Sequence, residues 1–326
     1  MIAILARSAA WTLYASVALA QPPDSVVKQA TRLFETGNAA AAAALLRPLA
    51  DTSAKAATLL GRMAWQSANY KDAARWLDAA IKLDPKHVEA YVWRGRTYVQ
   101  EIETTNFLRK GAVAGRARSM FEKAVEIDPS NFEAREARTE YLMNAPGIAG
   151  GSIDKARAEA SATKRVSPVR GALLVGRVEE KAGNTPAAEA EYRALTTSFP
   201  DSSGGWEALS VLYQNQSRWD DAFRIIDDRL RANPNNYAML YQLGRAASLS
   251  GQRLEAGEDA LRRYLARDNA RKAFDGTVHY RLGAIRERRG DTPGARSEYE
   301  IAIALDPRNV AARRALEQLR GRLERG

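Results

Sequence analysis

The sequence predicts an all-α fold in which pairs of helices repeat along the chain and stack into a solenoid. Prolines recur at intervals of about 34 residues, a period that is typical of stacked helix pairs. The recurring prolines are Pro85, Pro129, Pro168, Pro200, Pro234 and Pro307. Each stands just after an expected helix, where a residue without an amide hydrogen ends the helix. Three further positions, two small and one large, recur at fixed distances from these prolines.

The small position lies twelve residues before each recurring proline. It is occupied by Ala42, Ala73, Ala117, Ala156, Ala188, Ala222, Ala256 and Ala295, with Asp268 standing where the seventh proline is expected. A second small position, usually glycine, lies twelve residues earlier, and a large apolar residue lies eight residues before the proline. Small side chains at these points let the two helices of a pair approach closely. The pattern therefore predicts the contact between the two helices of each pair.

This combination of small, large apolar and proline positions resembles the tetratricopeptide repeat of bacterial exported proteins. The resemblance implies a right-handed α-solenoid of about eight helix-turn-helix repeats over residues 21–309, with the first helix of each pair lining a concave groove. The expected units are 24–53, 54–87, 88–131, 132–170, 171–202, 203–236, 237–275 and 276–309. The fourth unit departs from the family pattern at Arg135, Arg138 and Thr139, so we expect its first helix to be displaced. No single repeat can bury its own apolar face, so stacking must supply the core.

The two ends of the chain differ from the repeats. Residues 1–20 are apolar and end in Ala18-Leu19-Ala20, a small-x-small pattern that predicts a secretory signal peptide cleaved after Ala20. We therefore expect a periplasmic or secreted protein; an uncleaved anchor and a buried first helix are the alternatives. Residues 310–326 place Ala312, Leu316 and Leu319 at helical spacing among charges and predict a capping helix for the last repeat. A basic arm for an acidic partner is the alternative for this segment.

Composition excludes several kinds of function. The chain has no Cys and only two His, His87 and His279, which excludes thiolate metal sites and cysteine nucleophiles and leaves little for a histidine site. None of the common nucleotide-binding, hydrolase or metalloprotease motifs occurs. We therefore expect no catalytic residues, no metal and no cofactor, and both histidines are interpreted as structural.

The resemblance directs attention to the residues that would face the concave groove. At one such position four repeats carry arginine, and at another two repeats carry tyrosine; these are Arg62, Arg96, Arg177, Arg245, Tyr241 and Tyr280. Arginine offers a planar fork for carboxylates and tyrosine offers rigid contact area, so this set predicts binding of an acidic or extended peptide. The alternative is that the arginines pair across repeats with Glu133, Glu136 or Glu180.

The preferred function is a non-enzymatic scaffold that binds a peptide or helix of a protein partner in envelope assembly, secretion or polymer export. The formal net charge of +10 keeps a second class open, a binder of anionic polysaccharide or nucleic acid through a basic groove. Nucleic acid is the less favoured polymer because exported proteins seldom meet it.

Two inserts interrupt the period. Residues 101–118 are interpreted as a longer hairpin loop or as a lid over the groove. Residues 144–152 contain Pro146-Gly147 and Gly150-Gly151, which indicate a turn. Ser152 is expected to cap the helix that follows. Binding of a phosphate or carboxylate by the Gly-Gly-Ser amides is the alternative for the second insert.

Overall fold

The computed structural model describes residues 23–267 and 272–323, and its contacts divide the chain into two compact units, Met1–Ala90 and Tyr91–Gly326. The predicted signal peptide, residues 1–20, lies outside the described residues, as does Asp268. Within the described ranges the regular structure is entirely helical, without strands, which confirms the predicted fold class of a tetratricopeptide-like solenoid.

Seventeen α-helices and two short 3-10 helices make up the described residues. In the first unit and at its boundary they are α1 (Pro23–Glu35), α2 (Ala39–Leu46), α3 (Ala54–Gln66), α4 (Tyr70–Leu83) and α5 (Val88–Thr104). In the second unit they are α6 (Phe107–Ile127), α7 (Phe132–Asn144), α8 (Ile153–Val166), α9 (Pro168–Lys181), α10 (Thr185–Ser198), α11 (Ser203–Asn215), α12 (Trp219–Ala232), α13 (Tyr237–Ser250), α14 (Leu254–Leu265), α15 (Lys272–Arg288), α16 (Thr292–Leu305) and α17 (Val310–Leu323). The 3-10 helices are Arg47–Leu49 and Gly147–Ala149.

Polar side chains fix where many of these helices begin. The side-chain oxygen of Asn131 accepts a hydrogen bond from the backbone amide of Ala134, and Asn236 accepts one from Met239. Ser53 caps α3 in the same way. Each cap satisfies an amide that the first helical turn leaves without an intrahelical partner. The loop motifs between repeats therefore position the start of the next helix.

The small and large positions of the repeat meet within each helix pair. A Cβ added at Gly176 on α9 would lie 2.1 Å from Cε1 of Tyr192 on α10, and one added at Gly283 would lie 2.4 Å from the same atom of Tyr299. The corresponding contacts in other pairs are Gly61 with Leu77, Gly95 with Phe121, and Gly244 with Leu261. Both tyrosines are fully buried. The absence of a Cβ is thus what lets a large side chain fill the space between the helices.

The seventh repeat corrects one of the predicted small positions. Ala256 is exposed, and Gly257 takes the buried position, where an added Cβ would lie 2.3 Å from the Cβ of Ala247. The reason is a longer turn before α14. Gly251 has positive φ, as Gly183 and Gly290 do, but two residues follow it before the helix begins instead of one.

The first insert is helical and is not a hairpin loop. It extends α5 to 17 residues and α6 to 21, compared with 12 to 14 in most of the other repeats' helices, and leaves only residues 105 and 106 between them. Asn106 caps α6 through a 3.1 Å hydrogen bond from the amide of Arg109. The prediction of an extended loop was therefore wrong in its local structure, although the insert does lengthen the hairpin.

The second insert folds against α6. The hydroxyl of Tyr141 lies 2.8 Å from the carbonyl oxygens of both Ala114 on α6 and Ala149 in the insert. The amides of Gly151 and Ser152 donate to the carbonyls of Pro146 and Leu142. These amides already have partners in the loop and at the end of α7, which favours the predicted structural turn over anion binding.

The core runs between consecutive helices in each unit. In the first unit Leu46, Leu59 and Leu60 pack together beneath α1–α3. In the second unit the clusters follow one another along the chain, and the last one joins Tyr299 to Leu316 and Leu319 of α17. Helix α17 thus covers apolar surface of the eighth pair.

Candidate functional site

The first helices of the pairs in the second unit form a continuous surface. Helices α7, α9, α11, α13 and α15 pack one against the next, and we call the surface that they form the A-helix wall. The predicted groove residues Arg177, Tyr241, Arg245 and Tyr280 lie on these helices. Arg96 lies on α5 of the same unit, and Arg62 lies on α3 of the first unit.

Arg62 and Arg96 are both engaged within the protein. Nη1 of Arg62 lies 2.9 Å from Oε1 of Glu89, so its charge is balanced inside the first unit. The guanidinium of Arg96 stacks at 4.7 Å from the ring centroid of Trp93. Arg96 also acts electrostatically on Glu133. Burial opposes the ionisation of Glu133, but its hydrogen bond with Arg170 and the charges of Arg170 and Arg96 outweigh burial and lower its pKa.

Arg177 is an ion-paired residue. Its Nη1 lies 3.1 Å from a carboxylate oxygen of Glu136, and its Nη2 lies 2.6 Å from one of Glu140, both on α7. Burial disfavours the charged guanidinium, but the hydrogen bonds and charges of Glu140 and Glu136 outweigh this effect and raise the pKa of Arg177. The predicted alternative, pairing across repeats, therefore holds for Arg177 with Glu136.

Arg245 differs from Arg177 in having only neutral hydrogen-bond acceptors. Nη1 donates to the side-chain oxygen of Gln214 at 2.8 Å, and Nη2 donates to that of Asn215 at 3.1 Å, both on α11. Burial and the nearby charge of Arg281 lower the pKa of Arg245. In residues 23–267 and 272–323 no carboxylate pairs with it. Its positive charge is therefore not neutralised by this part of the chain.

Arg281 on α15 adds a second guanidinium to this region. Its Nε is buried and has no hydrogen-bond partner among the described residues. The guanidinium lies 5.2 Å from the ring centroid of Tyr280, within the range of a cation–π contact, which leaves its charge without a carboxylate among the described residues. Arg245 and Arg281 together form the basic pair, the name used below for these two residues.

Aromatic side chains border the basic pair. The ring of Tyr241 lies 5.0 Å from that of Phe274 and 5.9 Å from that of Tyr264, measured between centroids. Tyr280 packs against Tyr299 at 6.0 Å. Phe274 is partly exposed. Tyr241 and Tyr280, both predicted from the sequence, therefore lie on the same two helices as the basic pair, α13 and α15.

Arg281 is the residue that the sequence analysis missed. It does not fall at one of the repeat positions that face the groove in the resembled family, so the repeat alignment passes over it. The sequence offers no other signal for Arg281, because its relevance depends on its proximity to Arg245 on the neighbouring helix α13.

A cleft of about 400 Å³ lies on the A-helix wall between α7, α9 and α11. Its apolar floor includes Leu173 and Val211, and Arg170 stacks on the ring of Phe132 at 3.5 Å at one side. Glu136, Glu180 and Glu207 also line it. This part of the wall therefore has mixed charge and offers apolar contact area.

His279 lies in a charged cluster between α15 and α16. Its Nδ1 lies 2.7 Å from Oε2 of Glu298, and the other carboxylate oxygen of Glu298 lies 3.5 Å from Nη2 of Arg286. Across residues 23–267 and 272–323, no group of three His, Asp or Glu side chains is placed to hold a metal ion. Nor does any helix in these ranges have both the length and the apolar character needed to cross a bilayer.

A family model, and the fold of one solved structure, support the repeat assignment. A sequence model of the tetratricopeptide repeat matches residues 27–88, 58–101 and 173–230. The crystal structure of a tetratricopeptide repeat protein from Parabacteroides merdae is similar, with 10% identity and a TM-score of 0.51, over 91% of this chain and 98% of that one. A thermophilic TPR protein from Thermus thermophilus matches with 16% identity and a TM-score of 0.49, over 59% of this chain and 98% of that one. No curated protein matches the sequence significantly.

Proposed function

We propose that this chain, a solenoid of tetratricopeptide-like repeats, is a non-enzymatic scaffold that binds an acidic peptide segment of a partner protein at the basic pair. The proposal rests on the uncompensated charge of Arg245. Its guanidinium is half-buried, and its only polar partners among the described residues are side-chain amide oxygens. A carboxylate from a partner would supply the missing countercharge. Charge-assisted hydrogen bonds of this kind are about twice as strong as neutral ones.

The neighbouring residues suit an extended peptide. Tyr241 and Tyr280 present rigid rings beside the guanidinium groups, and the mixed-charge cleft between α7 and α11 provides apolar area further along the same wall. Helices offer no free backbone edge for strand pairing, so side chains must provide the specificity. This surface fits a peptide that places an acidic residue at the basic pair and an apolar side chain in the cleft.

Binding of an anionic polymer is less well supported by the geometry. A polymer needs a row of uncompensated charges, because its affinity comes from many phosphate or carboxylate contacts. Along the A-helix wall Arg177 is paired with glutamates, and Arg170 is paired with Glu133. The positive potential is therefore concentrated at the basic pair, which favours one or two carboxylates of a peptide.

The proposal places the scaffold outside the bacterial cytoplasm. Its support is the sequence of residues 1–20, with small residues at positions 18 and 20. Tagging the chain at its C terminus in the native host and measuring the intact mass tests this directly. A bait that begins at Gln21 supports export with cleavage, whereas a bait that retains Met1 in the cytosolic fraction contradicts it.

Binding is tested with a short fluorescent peptide that contains glutamate and leucine, and with a matched peptide in which glutamine replaces glutamate. The variant Arg245→Gln with Arg281→Gln should bind the acidic peptide at least tenfold more weakly, since each lost charged hydrogen bond contributes about 1.5–3 kcal/mol. The matched control is Arg96→Gln with Arg177→Gln, which removes two engaged arginines from the same unit.

The outcome is read from fluorescence anisotropy together with the thermal midpoint of each variant. Loss of binding in the first variant with an unchanged midpoint supports the proposal. Equal binding of the two peptides, or equal loss in the two variants, would show that the basic pair is not a carboxylate site. Strong binding of polyglutamate or heparin that falls steeply with salt in both variants would favour the polymer class.

A further inference from the structure

The outer end of the α5–α6 hairpin carries large apolar side chains that nothing in the described chain covers. Phe107 is 86% exposed and Leu108 is 91% exposed, and they occupy the first turn of α6 because Asn106 caps that helix. Ile148, in the loop that packs against α6, is 100% exposed. Exposed apolar side chains are ordinary when scattered, but a group of large ones on a projecting hairpin indicates an interaction site.

The outward face of α6 continues this apolar surface. Leu108, Gly111, Ala112 and Gly115 share one helix face by their spacing of three and four residues. No atom lies within 4 Å of a Cβ built at Gly111 or Gly115, so this face is open. The opposite face carries Ala114 and Ala117, which are buried. The first three turns of α6 thus have a second apolar face, directed away from the core.

Basic residues surround this end of α6. By their spacing, Arg109 and Arg116 lie beside the apolar face and Lys110 lies on the side of Ala114. All three are exposed, and none of them has an ion-pair partner in the described part of the chain. The first acidic residue on α6 is Glu122. On α5, Glu101 is paired with Arg94, which leaves Glu103 as the exposed carboxylate at this end. The end of the hairpin is therefore positively charged as well as apolar.

The second insert is held against α6 and carries an exposed apolar side chain of its own. The hydroxyl of Tyr141 bridges the carbonyl of Ala114 on α6 and that of Ala149, next to Ile148. The two departures from the repeat period are therefore joined to each other, through the side of α6 opposite to its outward face.

We infer that this surface, formed by Phe107, Leu108 and the outward face of α6, is an interfacial anchor for an anionic lipid bilayer. Helices that lie in a bilayer interface have this arrangement, an apolar face bordered by Lys and Arg. Phe107 and Leu108 are almost fully exposed, so no groove in the described residues surrounds them, which suits a deformable lipid surface better than a peptide. The basic residues are complementary in charge to phosphatidylglycerol and similar headgroups.

The anchor is independent of peptide binding at the basic pair, since it involves other helices and other residues. It attaches the solenoid to a membrane surface and crosses no bilayer, in keeping with the absence of a spanning helix among the described residues. A scaffold held in this way would present its A-helix wall to partners located at the same membrane.

The absence of cysteine allows a site-specific test in the full chain. Leu108→Cys is labelled with the environment-sensitive dye nitrobenzoxadiazole, and Arg313→Cys on the exposed face of α17 is labelled as the control. Each protein is mixed with vesicles of equimolar phosphatidylglycerol and phosphatidylcholine, or of phosphatidylcholine alone. The dye at position 108 should shift to the blue and be quenched by nitroxide-labelled acyl chains in anionic vesicles, whereas the dye at position 313 should not.

Two pairs of substitutions separate the apolar and electrostatic contributions. Phe107→Ser with Leu108→Ser, and Arg109→Gln with Lys110→Gln, should each weaken vesicle binding by roughly tenfold. Val166→Ser with Val310→Ser and Arg313→Gln with Arg314→Gln are the matched controls, and all four pairs replace exposed residues. Binding is measured by flotation with each protein's helicity checked by circular dichroism.

The label at position 108 distinguishes the anchor from any contribution of residues 1–20. A water-exposed dye at position 108 on vesicles that nevertheless bind the protein would overturn the inference, because another segment would then be responsible. Self-association of the native chain that is lost in Phe107→Ser with Leu108→Ser, without insertion of the dye into lipid, would also overturn it and identify a second copy as the occupant.

Discussion

Arg245 on α13 donates a 2.8 Å hydrogen bond to the side-chain oxygen of Gln214 on α11, where the equivalent arginine two repeats earlier, Arg177, meets the carboxylates of Glu136 and Glu140. The same residue type at the same repeat position is thus neutralised in one place and not in the other. The difference appears in the pKa of the two guanidinium groups, which is raised for Arg177 and lowered for Arg245.

Gln214→Glu should convert the Arg245 site into an internal ion pair. The new carboxylate would accept the hydrogen bond that Arg245 now gives to an amide oxygen, while Gln242 can turn its side-chain amide to donate to residue 214. We expect acidic-peptide affinity to fall about tenfold, because the internal carboxylate competes with the ligand. Anisotropy titration measures this effect, and the thermal midpoint should be unchanged or higher.

Glu207→Gln on the same helix, α11, is the control for the charge of that helix. Glu207 lines the mixed-charge cleft, and its removal should leave peptide affinity within a factor of about two, as expected for exposed charges. If Gln214→Glu binds the acidic peptide as well as the native chain does, Arg245 does not contact the ligand.

Glycine substitutions should have opposite effects at two kinds of position. In Gly176→Ala the new Cβ would lie 2.1 Å from the ring of Tyr192, so the helix pair must separate or the tyrosine must move. We expect a loss of about 1–3 kcal/mol, the range for overpacking a core. Gly115→Ala meets no atom within 4 Å on a regular helix and should stabilise by about 0.5–1 kcal/mol.

Chemical denaturation followed by circular dichroism measures both glycine substitutions. Repeat arrays need not unfold in one step, so the comparison is made on the first transition of each curve. Stabilisation by Gly176→Ala would mean that the contact between α9 and α10 is looser than the structure shows.

The fold could be predicted from the sequence because its determinants recur. A small position that returns in every repeat leaves little freedom in how the helices pair, and the predicted alanines are buried in every repeat except the seventh. The seventh failed because a turn gained one residue between Gly251 and α14, which moved the buried position from Ala256 to Gly257. A single longer turn leaves no trace in composition or period when the closing proline is also missing.

The candidate site could be predicted only in part because charge pairing depends on neighbouring repeats. Arg177 and Arg245 occupy the same repeat position, and no local sequence feature places Glu136 and Glu140 opposite one and amides opposite the other. Arg281 lies outside the family positions and becomes relevant only through its proximity to Arg245. Whether the six predicted residues bind a partner remains a prediction.

Glu159 should be essential to the fourth repeat. Its buried carboxylate on α8 accepts hydrogen bonds from Arg135, at 2.7 Å, and from Arg138, both on α7. Burial and the charge of Arg135 lower the pKa of Arg138. Glu159→Gln would leave two adjacent guanidinium groups without a countercharge, and we expect a loss of about 2–4 kcal/mol, since breaking a buried ion pair by removing one partner is strongly destabilising.

The comparison for Glu159 is Glu126→Gln, which breaks an exposed pair with Lys123 at 2.7 Å. Exposed pairs contribute about 0–1 kcal/mol, so this variant should unfold at nearly the native denaturant concentration. Equal, small losses in the two variants would indicate that solvent reaches the Glu159 cluster. Helicity at low denaturant shows whether the loss at Glu159 is confined to a few repeats.

Glu189 should contribute a defined part of the acid sensitivity of the fold. Burial opposes its ionisation, but hydrogen bonds with Arg218, Tyr213 and Arg193 outweigh this effect and lower its pKa from 4.5 to about 2. Because the pKa is lower in the folded state, the stabilisation is fully present above pH 4.5 and is lost as the pH falls toward 2. We expect about 1–2 kcal/mol after allowance for solvent screening.

Thermal midpoints of the native chain and of Glu189→Gln, measured at neutral pH and near pH 3, test this contribution. The variant should be less stable than the native chain at neutral pH, and the difference should shrink at low pH, where the native carboxylate also loses its charge. Glu317→Gln on α17 replaces an exposed glutamate that has no ion pair in the described part of the chain, and it should follow the native curve at both pH values. A constant difference between Glu189→Gln and the native chain would mean that the side chain acts through packing and hydrogen bonding, with no contribution from its charge.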